Sequence, residues 1–361
     1  MQTLRAVLEG IIGGGLILLV LDSTIRTFLI PRGLAQPLTR LVFLAVRAVF
    51  QVPVRLAKTY EARDRRMAWY GPLGLLILPM VWLVLVWVGY ALLFHIAVKG
   101  IGFPRALEAS GSSLLTLGFV RPSTAIGLTL AFSEAALGLA LLALLIAYLP
   151  TIYSAFSRRE TSVGMLSYRA GTPPSAVDLL VRANQIGLLD NMDTIWIEWQ
   201  QWFAELEETH TSLAVLSFFR SPNPHRSWIT AAGTVLDAAS LHLSAIDVPT
   251  QPMAGLCVRS GFISLRAIAE FFGIDFDRDP TPNTPITIAR EEFDEVLKQL
   301  EAAGVPLKPD RDQAWRDFSG WRVNYDAVVV GLAALVVAPY CLWVSDRSIR
   351  VRRPRMLRRR G

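Results

Sequence analysis

Charge is scarce in this chain: 18% of its 361 residues are Asp, Glu, Lys or Arg, while 52% are hydrophobic. That balance argues against an ordinary soluble domain and marks a membrane protein. Cysteine is scarcer still, with Cys257 and Cys341 the only two. They stand far apart at no metal or redox spacing, which argues against a disulfide framework and permits a reducing compartment. The four histidines, His95, His210, His225 and His242, show no ligand spacing either. Asp275, Asp277 and Asp279 alternate as at the start of a calcium loop, but Pro280 stands where that loop needs glycine, so a polar turn is expected. With no phosphate-cradling glycine loop and no nucleophile motif, neither an enzyme nor a resident metal or cofactor is expected.

What charge there is sums to +6. Much of the excess adjoins apolar runs or falls in the terminal "RSIRVRRPRMLRRR". Anionic lipid is therefore the expected partner of the basic segments, and nucleic acid is not.

Long apolar runs are abundant. "LEGIIGGGLILLVLDSTIRTFLI", Leu8 to Ile30, is long enough to span, since a helix needs roughly 20 residues to cross about 30 Å of hydrocarbon. No small-residue cleavage site follows it, so it reads as a span rather than a secretory signal. Asp22 and Arg26 stand one helical turn apart, where each partly neutralises the other. Gly10 and Gly14 have the small-residue spacing that lets helices approach closely. A second span covers Tyr70 to Val98, with Trp and Tyr toward its ends, and a third covers Ala125 to Leu149.

The connection from Pro31 to Trp69 carries eight basic residues against Glu61 and Asp64. The excess of positive charge places it in the cytoplasm. Within it, Leu38 to Ala57 is apolar but broken by Arg40, Arg47, Pro53 and Arg55. An amphipathic helix at the cytoplasmic interface is expected, with a fourth span as the alternative.

Beyond "SRRE", Ser157 to Glu160, the composition becomes that of a soluble helical domain facing the cytosol. Trp196, Trp199, Trp202 and Phe203 recur at the spacing of one apolar helical face and are expected in its core. "TPITIAREEFDEVLKQLEAAG" has early acids, a late Lys298 and Gly304 as a stop signal, the polarity of a helix. The last apolar run, Ala327 to Val344, is broken by Pro339 and is expected as a buried helix rather than a span. The organisation expected is thus residues 1–69, a first span with a basic interfacial helix; residues 70–150, two spans and their connection; and residues 151–361, a helical domain with a basic tail.

That connection holds "SGSSLLTLGFVRP", Ser110 to Pro122, too polar and too short to cross a bilayer. Pro104 to Leu115 is compatible with a short helix whose proline sits near its start. Entering from outside, such a helix would point its partially negative C-terminus toward the membrane centre, which attracts cations. Ala106, Leu107, Ser110 and "SLLTLGF" from Ser113 to Phe119 resemble the pore helix and filter of the potassium channels that have two spans flanking a pore loop. The likeness covers about Tyr70 to Pro150. It matches Thr116, Leu117, Gly118 and Phe119 to a filter such as "TVGY", with Ser112 and Ser113 closing the pore helix. It matches the third span to the inner helix, with Glu134 behind the filter, Gly138 at a hinge or close-packing position and Pro150 where the cytosolic domain joins.

The resemblance implies an all-α pore module in a homotetrameric bacterial membrane protein, since one loop supplies a quarter of a carbonyl ring. It implies permeant potassium or other monovalent cations; the helical domain, joined directly to the inner helix at Pro150, is expected to control the gate, with an unidentified ligand. Two positions depart from the pattern. Val120 replaces a filter glycine, and a β-branched residue does not readily take left-handed backbone angles. Arg121 replaces an aspartate, so a tetramer would set four positive charges at the outer mouth. A channel-like sensor or scaffold that no longer conducts is the competing expectation.

Overall fold

The computed structural model describes residues 2–28, 37–55, 59–98, 100–282 and 284–347, without side-chain placement for 2 and 51–55. The first span's last two residues and most of the basic tail, 348–361, lie outside the described residues. The described chain is all-helical, and its only β-pairing is an isolated bridge between Ile246 and Leu307. Three helical stretches are long and apolar enough to cross a membrane, Thr3–Phe28, Tyr60–Ala97 and Ala125–Ala170, as a multi-pass membrane protein requires. The chain divides into two compact units, Met1–Ala57 with Arg66–Ser154, and Lys58–Arg65 with Ala155–Gly361.

The first unit contains α1 (Gln2–Phe28), α2 (Pro37–Arg55), α4 (Tyr70–Ala97), α5 (Phe103–Leu114) and the beginning of α6 (Ala125–Ala170); α3 (Tyr60–Met67) precedes α4. Close approach of α1 and α4 falls on Gly13 rather than on Gly10 and Gly14. A Cβ on Gly13 would lie 2.7 Å from the Gly89 carbonyl oxygen, whereas one on Gly14 would meet nothing and one on Gly10 would make only an ordinary contact with Ile96. Polar links fasten the same pair: Trp82 Nε1 donates to Ser23 Oγ (3.1 Å), and His95 Nδ1 lies 2.7 Å from Glu9 Oε2, whose other oxygen pairs with Arg5. The expected pairing of Arg26 with Asp22 is present at 2.6 Å. On α2, Val42 and Val46 are buried and Leu41 and Val49 exposed, while the Phe43 ring covers Gly74 of α4.

The second unit is built around α9 (Trp228–Ser244), nearly all of whose residues are buried. Packed with it are the end of α6, α7 (Ala176–Gln185), α8 (Asp193–Ser212), α10 (Pro252–Phe272), α11 (Arg290–Ala302), α12 (Arg311–Arg322) and α13 (Asp326–Val336). Local signals set the ends of several helices. Ser175 accepts from the Asp178 amide and Asp310 from the Gln313 amide, while Gly273 and Gly304 take left-handed angles after α10 and α11. The expected tryptophan stripe of α8 is core: Trp196, Trp199, Trp202 and Phe203 are all buried. The last apolar run is buried but only half helical. It leaves the helix at Val337 (φ 54°), two residues before Pro339, and Cys341, Trp343 and Val344 fill the core as irregular chain.

Buried charge joins these layers. Arg322 is fully buried and donates to Asp237 on α9, to Asp326 Oδ1 (2.8 Å) and to the Trp343 carbonyl. Asp326 also accepts from the Thr287 amide (2.7 Å) and hydroxyl (2.8 Å), and Tyr325 donates to Asp237 (3.0 Å). A buried charge survives only when neighbours replace its water in this way. Arg159 of the "SRRE" stretch is not the surface charge its composition implies. Its guanidinium is buried and donates to the carbonyls of Leu216 (2.7 Å) and Phe219 (2.8 Å), pairs with Glu160 and faces His210 Nε2 at 3.3 Å. Arg347, read with the basic tail, pairs with Glu292 at 2.7 Å.

Candidate functional site

In the connection between α4 and α6, Gly102 opens α5, with Pro104 in the first turn where its missing N–H leaves no bond unmade. Small side chains, Ala106, Ala109, Ser110, Ser112 and Ser113, form the buried face of α5. On α4, Trp87 fixes the helix twice: its indole donates to the Leu107 carbonyl (2.9 Å) and its own carbonyl accepts from Ser110 Oγ (2.8 Å).

α5 ends in a Schellman turn. The Thr116 amide donates to the Ser113 carbonyl (3.0 Å) and the Leu117 amide to the Ser112 carbonyl (2.8 Å), with Thr116 in the left-handed position at φ 56°. Glycine is usual there; a β-branched residue at positive φ is a genuine outlier. Gly118 is left-handed as well, at φ 72°, so the backbone alternates in sign through Thr116, Leu117 and Gly118. Ser112 organises the rest of the loop. Its carbonyl also accepts from the Gly118 amide (3.3 Å), and its hydroxyl accepts from the Val120 amide (3.1 Å). Unlike Thr116, Val120 does not take positive φ, the conformation that branching at Cβ disfavours. Ser113 turns inward and bonds the Ala109 carbonyl (2.9 Å).

Three amides of the loop are therefore turned toward Ser112. The carbonyl oxygens of Thr116, Leu117, Gly118 and Phe119 accept no hydrogen bond among the described residues. Leu117 and Phe119 are 59% and 66% exposed, and Arg121 is exposed beside them. Chemically, the loop presents four carbonyl oxygens as acceptors, with the Phe119 amide, the Thr116 hydroxyl and the Arg121 guanidinium as donors beside them.

From α6, Glu134 and Gly138 support the end of α5. Glu134 is fully buried, with Oε1 2.5 Å from Ser110 Oγ. A Cβ on Gly138 would lie 2.5 Å from the Leu114 carbonyl oxygen, so this is a position of close packing. Pro150 lies within α6, which continues as one helix to Ala170. Trp87 was not singled out by the sequence, because nothing distinguishes it from the other aromatic residues of its span.

No cluster of three metal-ligating side chains occurs among the described residues, and Asp277 accepts from the Asp279 amide as a polar turn does. His210 and His242 are buried single histidines. His210 Nε2 faces Arg159 and His242 Nε2 bonds the Leu189 carbonyl (3.1 Å); burial pushes both below the ordinary imidazole range. Comparison with protein-family models, curated proteins and solved structures yields no match.

Proposed function

We propose that the chain is one subunit of a homotetrameric cation channel of potassium-channel type, passing potassium or other monovalent cations along the loop Thr116–Val120. The supporting observation is the division of labour around Ser112: amides are drawn back to it while the carbonyls of Thr116 to Phe119 stay unbonded. Stacked rings of such carbonyls, one set from each copy, replace an ion's hydration shell. Exposed apolar side chains of α6, Phe132, Leu139 and Ile146, offer surface to neighbouring copies and lipid. Because α6 runs unbroken through Pro150, a ligand-driven movement of the helical domain, placed in the cytosol, would pull directly on the pore-lining helix. Anionic lipid is the partner assigned to the basic segments.

Val120 and Arg121 favour a second reading, a channel-like sensor or scaffold without conduction. No glycine is available for an upper carbonyl ring, and four guanidinium groups near the mouth repel cations. Ion flux from liposomes reconstituted with the purified protein separates the two. The channel reading expects tetramers, a cation current and its loss in Gly118→Leu. A current that survives Gly118→Leu removes this loop as the filter, and absence of flux in the intact protein supports the sensor.

A further inference from the structure

The contact of Ser110 with both Glu134 and Trp87 contains a proton count. Ser110 Oγ lies 2.5 Å from Glu134 Oε1 on α6 and 2.8 Å from the Trp87 carbonyl oxygen on α4. A serine hydroxyl carries one proton, and a backbone carbonyl has none to give. The hydroxyl proton therefore serves Trp87, and the proton between Ser110 and Glu134 comes from the carboxyl. A separation of 2.5 Å is that of a strong O–H···O bond.

The opposite arrangement is worse on three counts. It sets two acceptor oxygens 2.8 Å apart at Trp87. It leaves an ionised carboxylate fully buried, with Oε2 unbonded and no cation paired with it among the described residues. It also places negative charge beside the C-terminal turns of α5, whose dipole is already negative there. The other titratable groups near this contact give no compensation: Tyr90 on α4 bonds Ser133, and Glu108 on α5 is exposed.

We infer that Glu134 is a proton-binding site, held in its acid form as a donor to Ser110, and that this proton is a structural ligand of the loop Leu115–Val120. Two residues beyond Ser110, Ser112 holds the loop amides; one turn beyond Glu134, Gly138 lies against the Leu114 carbonyl. Loss of the proton at alkaline pH removes the donor to Ser110 and charges the contact between α5 and α6. The last turn of α5 then separates from α6 and the loop loses its anchorage. The inference rests on packing and stands apart from conduction.

Two measurements on the purified full-length protein test it without ion flux. Infrared spectra at neutral pH should show the carbonyl-stretch band of a protonated carboxyl that disappears in Glu134→Gln and shifts in Ser110→Ala. Amide hydrogen exchange of residues 115–120, corrected for intrinsic rates, should show protection lost as pH rises in the wild type and unchanged with pH in Glu134→Gln, whose amide still donates to Ser110. Identical carboxyl bands in the wild type and Glu134→Gln overturn the inference, and so does the same pH dependence of loop protection in both.

Discussion

Gly13 on α1 and Gly89 on α4 meet backbone to backbone: a Cβ on Gly13 would lie 2.7 Å from the Gly89 carbonyl oxygen, and one on Gly89 3.0 Å from that of Gly13. Hydrophobic burial contributes little to association between helices in lipid, so such contacts carry the packing there. Gly13→Ala and Gly89→Ala should each cost about 1 to 3 kcal/mol through forced separation. Gly14→Ala, with open space around it, should be neutral or slightly stabilising. Thermal melts of the three variants in one detergent check the contrast; equal behaviour would place the helix contact elsewhere.

Thr116 and Gly118 respond in opposite directions. Left-handed geometry costs an L-residue about 1 to 2 kcal/mol, so Thr116→Gly should stabilise the turn by up to about 1 kcal/mol after the added chain entropy of glycine. Gly118→Ala should lose about 1 kcal/mol, although its Cβ would meet no neighbour. Melting temperatures give both signs, and a destabilised Thr116→Gly would mean that Thr116 is not left-handed in solution.

Arg322→Met leaves Asp237 and Asp326 buried beside each other without their cation. A loss of about 3 to 5 kcal/mol is expected for the helical unit. Chemical denaturation followed by tryptophan fluorescence reads it, since Trp196, Trp228 and Trp343 lie in that core. A loss below about 1 kcal/mol would show that the pair is hydrated in solution.

Acid should weaken the same unit through its buried histidines, against an opposing contribution from Asp237, whose carboxyl burial pushes up to about 6. His210 and His242 are held neutral by burial, below their ordinary value of 6.5. The unfolded chain then binds more protons than the folded one as pH falls below 6.5, so stability is complete above that value and is lost on acidification. Each histidine contributes at most about 1.4 kcal/mol per pH unit. Melts of the wild type and His242→Gln across this range check it: the variant should lose less stability on acidification, and identical slopes in the two would show that His242 is not held neutral by burial.

Helices were legible where the pattern repeats. The three apolar runs, the α8 tryptophan stripe and the stop at Gly304 follow from hydropathy and periodicity, which are local properties. α5 was visible in outline, because Pro104 near its start and the small polar residues Ser110, Ser112 and Ser113 mark a short helix between two spans. Gly10 and Gly14 showed the limit of spacing: which glycine faces a neighbour depends on how α1 is rotated against α4, and Gly13 occupies that face. Arg159 showed the limit of composition. Nothing in "SRRE" separates the buried guanidinium of Arg159 from the exposed one of Arg158.

The order of the residues alone determined that this chain is helical and carries runs long enough to span a membrane, because length, apolarity and turn chemistry act within a few residues of themselves. Folding decided which polar groups share one proton, which glycines touch and which arginines lose their water. Those outcomes depend on partners as remote in sequence as Ser110 from Glu134 and Asp237 from Arg322, and no local pattern encodes which distant group will arrive.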